Sequence, residues 1–209
     1  MLFLLILTAL SATLVVGTPP IPTEQVYLGE AGITSSTAIG DRVSSDHNVT
    51  FGPVPKAEQI YVTDGFDIAP FPATTNRRLF FLLSGHLPSS KTGHIRDLEA
   101  ALAKATFNIT VNRIDPDGKP DEPSSYLVPL RAFRGSMGIG QLSIRHTNGT
   151  YVDYLPGPGE SEILAELIIV GMFVETGLHT FDLVARLGDE NNTCLFAFSH
   201  TQWLENDFD

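Results

Sequence analysis

The sequence predicts a mainly β protein, an antiparallel β-sandwich of immunoglobulin-like or jelly-roll type with one short helix. Three observations support this prediction. Many short segments alternate apolar and polar residues with a period of two, turn residues separate these segments, and a single segment has helical spacing. A closed β-barrel is the alternative that the same pattern leaves open.

The amino-terminal segment has the composition of a secretory signal. Residues 2–16 are almost wholly apolar and end at Gly17, before a Pro-rich stretch at 18–22 that cannot continue a helix. A signal anchor that stays in the membrane is the weaker interpretation, because a spanning helix needs about 20 apolar residues and charged flanks. We therefore expect a signal peptide at residues 1–17, a secreted mature chain and no stable membrane insertion after cleavage.

The composition changes again near residue 57. Residues 18–56 are rich in Pro, Gly, Ser and Thr, and they predict an extended arm or irregular edge strands. Residues 57–209 carry the regular strand patterns and predict the β-sandwich domain. After removal of the signal, a chain of about 190 residues is long enough to bury one substantial core.

Strand candidates follow one another through the predicted domain. The clearest is at 105–114, where Phe107, Ile109 and Val111 share one face and polar residues share the other. The continuously apolar run 79–83 predicts a central strand that is covered on both faces. The other candidates are 59–63, 78–84, 126–133, 141–146, 150–155, 167–174, 181–187 and 194–198.

One helix and one hairpin turn interrupt these strands. Residues 92–104 predict the helix, because Ile95, Leu98 and Leu102 recur at helical spacing among alanines. A helix of this length is marginal alone and must pack on a sheet. Asn148-Gly149 lies between two strand candidates and predicts a type I′ turn, in which both central residues have positive φ.

Four Asn-x-Thr sequons occur in the chain, at Asn48, Asn108, Asn148 and Asn191. Asn108 belongs to the polar face of its strand, Asn148 to the hairpin tip, and Asn191 to a loop between two strands. The strand pattern thus places these three side chains in solvent independently of the sequon itself. We predict N-glycosylation at all four positions, with the surroundings of Asn48 the least patterned.

The net charge of −11 and the single cysteine exclude two classes of protein. A negative field spread over the chain repels phosphate backbones, so nucleic acid is not an expected partner. Cys194 alone cannot form an internal disulfide, so the chain is not a disulfide-stabilised scaffold. No cationic residue lies within three positions of Cys194 in the sequence, which favours a buried hydrophobe over a reactive or intermolecularly paired thiol.

Motifs for nucleophilic and cofactor chemistry are incomplete. Near Ser136 the chain has Arg134 where the first glycine of a nucleophile elbow belongs. Gly138-Ile-Gly140 resembles the start of a dinucleotide loop, but the third glycine is missing and a strand pattern follows. We therefore assign no catalytic residue and no cofactor.

Metal and acid–base patterns are equally weak. Glu160, Glu162 and Glu166 form the densest acidic group, for which a solvated loop and strand edge is the ordinary explanation. The loop 115–122 concentrates carboxylates but lacks the glutamate at the twelfth position of a calcium loop, so a plain turn is favoured. No metal site is assigned, because no spacing sets two imidazoles on one metal among His47, His86, His94, His146, His179 and His200.

The function expected from this sequence is an extracellular binding or structural module for carbohydrate or protein, of undetermined oligomeric state. The alternatives are a glycan-active enzyme and an apolar-ligand carrier, whose cavity residues 79–83 and 167–174 would line. Trp203, Tyr151 and Tyr154 are the candidate contact aromatics, although core or edge packing is the commoner fate of a tryptophan. Tyr151 and Tyr154 are three apart, so a regular strand would bring at most one of them to a site.

Overall fold

Two antiparallel sheets contain nearly all the regular structure of the described residues. The computed structural model describes the backbone of residues 42–44 and the residues 49–70, 73–114, 122–134, 140–170 and 174–205. The strands are β1 Arg42–Ser44, β2 Val49–Phe51, β3 Val62–Ala69, β4 Arg78–Leu87, β5 Thr106–Ile114, β6 Ser124–Pro129, β7 Phe133–Arg134, β8 Gly140–His146, β9 Tyr151–Val152, β10 Gly159–Ile168, β11 Gly177–Arg186 and β12 Cys194–Leu204.

The strands form a first sheet in the order β1-β2-β12-β11-β5-β6 and a second in the order β3-β4-β10-β8-β7, with β9 paired to β8. Apolar side chains from both sheets meet in one core. The ring centroids of Phe66 in the second sheet and Phe198 in the first are 4.9 Å apart, and those of Tyr61 and Phe196 are 5.8 Å apart. The predicted antiparallel β-sandwich is therefore confirmed.

The helical content differs from the single helix predicted at 92–104. Within the described part of the chain there are two short α-helices, α1 at Ser89–Thr92 and α2 at Leu98–Ala103, and a 3₁₀ turn at Lys56–Glu58. Asp97 starts α2, because its carboxylate accepts a hydrogen bond from the Ala100 N–H at 3.1 Å. Among the described residues no helix is long and apolar enough to cross a bilayer.

The strand predicted at 167–174 is displaced along the chain. The structure begins this strand, β10, at Gly159 and ends it at Ile168. Ser161, Ile163 and Ala165 are buried, whereas the residues between them point away from the core. The inward side chains of Ser161 and Ala165 are short and glutamates lie between the inward positions, so the apolar pattern of β10 is weak. The strand was therefore predicted at the more apolar residues that follow.

Two further strand predictions need correction. The run 79–83 lies in β4, but Phe80 is 36% exposed, so only one face of this strand is covered by the core. The candidate at 126–133 divides into β6 in the first sheet and β7 in the second. Buried Leu130 lies at the crossing between them.

The hairpin between β8 and β9 is in the predicted place but has a different turn. Gly149 has φ +85°, and Asn148 does not have a positive φ. The Gly149 N–H donates to the His146 carbonyl at 2.8 Å, and the His146 N–H donates to the Thr150 carbonyl at 2.9 Å. This is a three-residue loop with glycine in the left-handed position rather than a type I′ turn.

The edge of the first sheet includes residues from the segment predicted as an arm. β1 and β2 lie within 18–56, and β2 pairs with β12 through Phe51 and Thr50. Residues 1–41, which include the signal peptide predicted at 1–17, lie outside the described part of the chain. The division of the chain at residue 57 stays a prediction.

Candidate functional site

The structure places the three described sequons on different parts of the surface. Asn148 is exposed at the β8–β9 turn, and Asn191 is exposed in the β11–β12 loop. Asn108 is half-buried on the outer face of the first sheet, where its Oδ1 accepts a hydrogen bond from Ser125 Oγ at 2.8 Å. Asn48 lies outside the described residues.

The acidic group at 160–166 lies on the outer face of the second sheet. Glu162 accepts a hydrogen bond from Arg145 at 2.5 Å, and Glu166 accepts one from Arg78 at 2.6 Å. Glu160 is exposed and accepts a hydrogen bond from the Thr147 hydroxyl at 3.2 Å. Strand alternation places these carboxylates on one face of β10, where Glu162 and Glu166 are each paired with an arginine.

The histidines are dispersed through the fold. His179 and His200 are buried, and His200 Nε2 is 3.1 Å from Gln202 Oε1. His86 Nδ1 is 3.0 Å from an Asp64 carboxylate oxygen at the end of the second sheet. Among the residues that the structure describes, no three His, Cys, Asp or Glu side chains gather into a metal site.

Two loops considered from the sequence cannot be placed. Residues 115–121 of the acidic loop and 135–139 of the glycine-rich loop lie outside the described residues. The expectations of a plain turn and a glycine turn at these positions stay predictions.

Cys194 lies on the outer side of the first sheet in a small apolar cluster with Val184 and Ala197, against which Val54 packs. It is 6% exposed. Burial raises the pKa of its thiol to about 11, and the nearby Arg186 guanidinium offsets only part of this rise. The environment is that of the inert, buried cysteine that the sequence favoured.

The three candidate aromatics divide between the sheets. Trp203 is 56% exposed on β12 of the first sheet, so the expectation of core packing is wrong, whereas packing at a sheet edge stays a prediction. Tyr151 is 58% exposed on β9 of the second sheet. Trp203 and Tyr151 therefore lie on strands of different sheets.

A surface groove of about 730 Å³ brings Tyr151 and Tyr154 together. The expectation that at most one of them could join a site is wrong, because β9 ends at Val152 and the chain bends at Asp153, which interrupts the strand alternation. The groove lies between the start of α2 and the segment that joins β9 to β10. Its lining is Leu98, Glu99, Tyr151, Val152, Asp153, Tyr154, Pro156, Gly157 and Pro158.

Hydrogen bonds fix one side of this groove. The Tyr154 hydroxyl donates to Glu99 Oε1 at 3.1 Å, and this hydrogen bond raises the pKa of Tyr154. The Ala132 N–H donates to the Asp153 carbonyl at 2.6 Å, which ties the bend to the start of β7. The bend is therefore held from two directions, although α2 and β9 are distant in the sequence.

The groove offers many hydrogen-bond acceptors and few donors. Glu99 and Asp153 are carboxylates, which only accept when ionised. Pro156 and Pro158 have no N–H group. Among its lining residues, the two tyrosine hydroxyls are the only side-chain donors, and that of Tyr154 is already directed to Glu99. Such a surface suits a ligand that brings several donors of its own.

A cation that interacts with Tyr151 is held by another partner. Arg145 interacts with Tyr151 and hydrogen-bonds Glu162 at 2.5 Å. Burial alone would lower the pKa of Arg145, but the hydrogen bond and charge of Glu162, aided by Tyr151, outweigh it and raise the pKa. Arg145 is therefore paired with Glu162 and is not one of the lining residues of the groove.

A second depression, of about 620 Å³, follows the loop from Phe51 to Ala57. The Lys56 ammonium lies 4.5 Å from the centre of the Phe51 ring in this loop. Phe51 is half-buried, whereas Tyr151 is 58% exposed, so the groove at Tyr151 offers the more accessible aromatic ring.

Sequence reasoning found the two tyrosines but missed Glu99 and Asp153. From the sequence pattern, Glu99 is an ordinary solvent-exposed residue of the predicted helix, and Asp153 is a polar residue of a predicted strand. The only local signal was the Pro-Gly-Pro segment directly after the tyrosines, because it ends the strand pattern at an aromatic pair.

Comparisons with known proteins add little. No family model matches the sequence, and no curated protein is significantly similar to it. Among solved structures, the alkylpurine DNA glycosylase AlkC of Pseudomonas fluorescens, bound to DNA containing an abasic-site analogue, matches with a TM-score of 0.37 and 13% identity. The match covers 70% of this chain and 31% of that one, and at this TM-score it carries no argument about fold or function.

Proposed function

We propose that the protein is a secreted glycoprotein that binds an extracellular carbohydrate without turning it over. The observation that carries this proposal is the groove at Tyr151, which combines an exposed aromatic ring with two carboxylates. A sugar ring presents a C–H surface that packs on an aromatic face, and its hydroxyls donate to carboxylate oxygens.

The balance of donors and acceptors favours a sugar over a peptide. Each residue of a peptide other than proline brings one N–H donor and one C=O acceptor, so about half of its backbone groups need donors from the protein. The lining of the groove supplies few of these, because its polar side chains mainly accept and two of its residues are proline. Sugar hydroxyls can all act as donors, so they leave fewer polar groups unsatisfied.

Secretion and glycosylation support the extracellular setting of the proposal. The apolar run at 2–16 ends at Gly17 before a Pro-rich stretch, as in a secretory signal. Asn108, Asn148 and Asn191 all lie at the surface, so glycans on them would not require the core to open.

The two alternatives find less support. Among the grouped carboxylates, Glu162 and Glu166 are each paired with an arginine, whereas hydrolysis needs one carboxyl group that can give up a proton and a second that acts as base or nucleophile. The carrier would need a cavity between the sheets, but Leu79, Leu83 and Phe66 are packed there with side chains of the other sheet. Binding without turnover therefore remains the function with the most direct support.

The proposal is tested by replacing the exposed ring. We expect Tyr151→Ala to weaken binding of the best ligand on a glycan array roughly tenfold, a loss of about 1.4 kcal/mol. Trp203→Ala is the matched control, because it removes a ring of similar exposure from the first sheet and should leave binding unchanged. Tyr151→Phe keeps the ring and should retain most of the affinity.

Two results would contradict the proposal. One is a loss of binding in Trp203→Ala that Tyr151→Ala does not show. The other is release of product from the array ligand by the purified protein, because turnover would place the chain among the enzymes.

A further inference from the structure

The charge of the groove narrows the kind of sugar that it suits. Its charged lining residues are Glu99 and Asp153, and both are acidic. The whole chain carries a net charge of −11, so no long-range field compensates for them. Uronic acid or sulfated sugars would bring negative charge to two carboxylates without a cation in the lining to receive it.

A protonated amine is complementary to each feature of the same lining. An ammonium group carries three donors and no acceptor, which matches carboxylates that can only accept. It is also attracted to the face of an aromatic ring, and Tyr151 offers an exposed one. A neutral hydroxyl at the same place would make weaker hydrogen bonds to the carboxylates.

We propose that the groove is selective for amine-bearing glycans, with Glu99 and Asp153 receiving the ammonium group of a glucosamine unit beside Tyr151. This inference rests on the proposed carbohydrate binding and adds the chemical class of the ligand. Tyr154 positions Glu99 through its hydroxyl hydrogen bond, so one oxygen of this carboxylate is held and the other is left to the ligand.

The experiment compares two ligands that share a backbone and differ in charge. Titration calorimetry on the purified protein uses a β-1,4-linked glucosamine oligosaccharide and the same oligosaccharide with every amine acetylated. We expect the free amine form to bind roughly tenfold more tightly. We also expect its affinity to fall as salt is added, whereas that of the acetylated form should stay nearly constant.

Variants of Glu99 and Asp153 then test whether the preference for the free amine form arises at the groove. The double variant Glu99→Gln with Asp153→Asn keeps the shape and removes the charges, so it should lower affinity for the amine form to that for the acetylated form. Its affinity for the acetylated form should fall much less, because the amide oxygens of Gln and Asn still accept hydrogen bonds from sugar hydroxyls. Its circular dichroism spectrum should match that of the original protein, which shows that the variant is folded. Glu190→Gln, at an exposed loop position, removes one charge elsewhere and should leave the preference intact.

Each other outcome counts against the inference. Equal binding of the two forms, still lost in Tyr151→Ala, overturns the amine preference but leaves carbohydrate binding standing. If the preference for the amine form survives the double variant, or disappears in Glu190→Gln, it arises from the overall charge of the protein. Either result overturns the assignment of the preference to the groove. Binding of neither form overturns the inference and removes support from the proposed function as well.

Discussion

The chemistry of single residues in this fold follows from their surroundings more than from their type. Cys194 lacks a cationic neighbour in the sequence, and in the structure it is buried with Val184 and Ala197. Arg186 lies near enough to act on its pKa, yet burial outweighs this effect. The sequence could predict the apolar setting, because the strand pattern was visible, but not the approach of Arg186 across the sheet.

The raised pKa of Cys194 predicts a dependence of stability on pH. The folded thiol titrates at about 11 against an ordinary value of 9.0, so the folded state holds its proton where the unfolded state has lost it. The stability that the thiol contributes is complete below its pKa in the unfolded state and is lost as pH rises through its pKa in the folded state. We measure the free energy of unfolding in urea at several pH values between these two pKa values. As pH rises, we expect this free energy to decline less steeply in Cys194→Ala than in the original protein.

The control for this prediction is Val184→Ala, which alters the same cluster without removing a titrating group. It should lower the free energy of unfolding and keep the original slope with pH. Tyr61, whose pKa burial also raises, titrates in all three proteins and so cancels from the comparison. An unchanged slope in Cys194→Ala would contradict the prediction.

At Asn148 the sequence predicts the position of a hairpin but not the type of its turn. Asn-Gly fixed the place of the hairpin, because its flanks alternate as strands. The turn type depends on the pairing register of β8 and β9, which the dipeptide does not specify. The Asn148 side chain instead accepts a hydrogen bond from the Thr150 N–H at 3.0 Å, which stabilises the longer loop.

At the scale of elements, the strands that could be predicted are those with one apolar face and one polar face. β5 matched its prediction within one residue, because Phe107 faces the core and Asn108 faces outward. β10 was misplaced because its inward residues include Ser161 and Ala165, which contribute little apolar signal. The Ser161 backbone carbonyl is satisfied by the Tyr61 hydroxyl at 2.9 Å, a partner that no local pattern can reveal.

Gln59 links the segment before β3 to the strand β12. It is 1% exposed, and its amide donates to the Ala197 carbonyl at 3.1 Å while accepting from the Ala197 N–H at 3.1 Å. It also donates to the Val54 carbonyl at 2.8 Å. One side chain thus replaces a strand residue as the partner of Ala197, at a position that was predicted as the start of a strand.

We expect Gln59→Ala to lower the free energy of unfolding by about 2 kcal/mol, because the buried Ala197 N–H loses its partner. Chemical denaturation measures this difference. Gln141→Ala is the control, since the Gln141 amide bonds Glu166 on the outer face of the second sheet and its loss should cost less than about 1 kcal/mol. Equal losses in the two variants would show that the buried hydrogen bonds of Gln59 contribute no more to stability than the hydrogen bond of Gln141 on the outer face.

At the scale of the whole molecule, the sandwich was predictable and the groove was not. Sandwich architecture follows from many strands with one apolar face, since each such face must be covered. The groove depends on Glu99 meeting Tyr154, and these residues are 55 positions apart. Which loops meet at one end of the sheets is set by strand order, and the order β4-β10-β8 has no counterpart in the linear pattern.

The two sheets depend on each other through the aromatic residues between them. Phe198 is 1% exposed on β12, and its ring lies 4.9 Å from that of Phe66, 5.6 Å from that of Phe196 and 5.9 Å from that of Phe51, between centroids. Phe66 belongs to the second sheet, so Phe198 joins the layers as well as neighbours within its own sheet. Removal of this ring should therefore weaken both layers at once.

We expect Phe198→Ala to lower the free energy of unfolding by about 3–5 kcal/mol, because it removes buried apolar contacts and leaves a cavity. Trp203→Ala removes a larger but exposed ring from the same strand and should cost less than about 1 kcal/mol. Denaturation followed by circular dichroism and by tryptophan fluorescence should give coincident transitions in Phe198→Ala, since a sandwich with one shared core unfolds as a unit. Separate transitions would instead mean that each sheet is stable without the other, which an interlocked aromatic core does not allow.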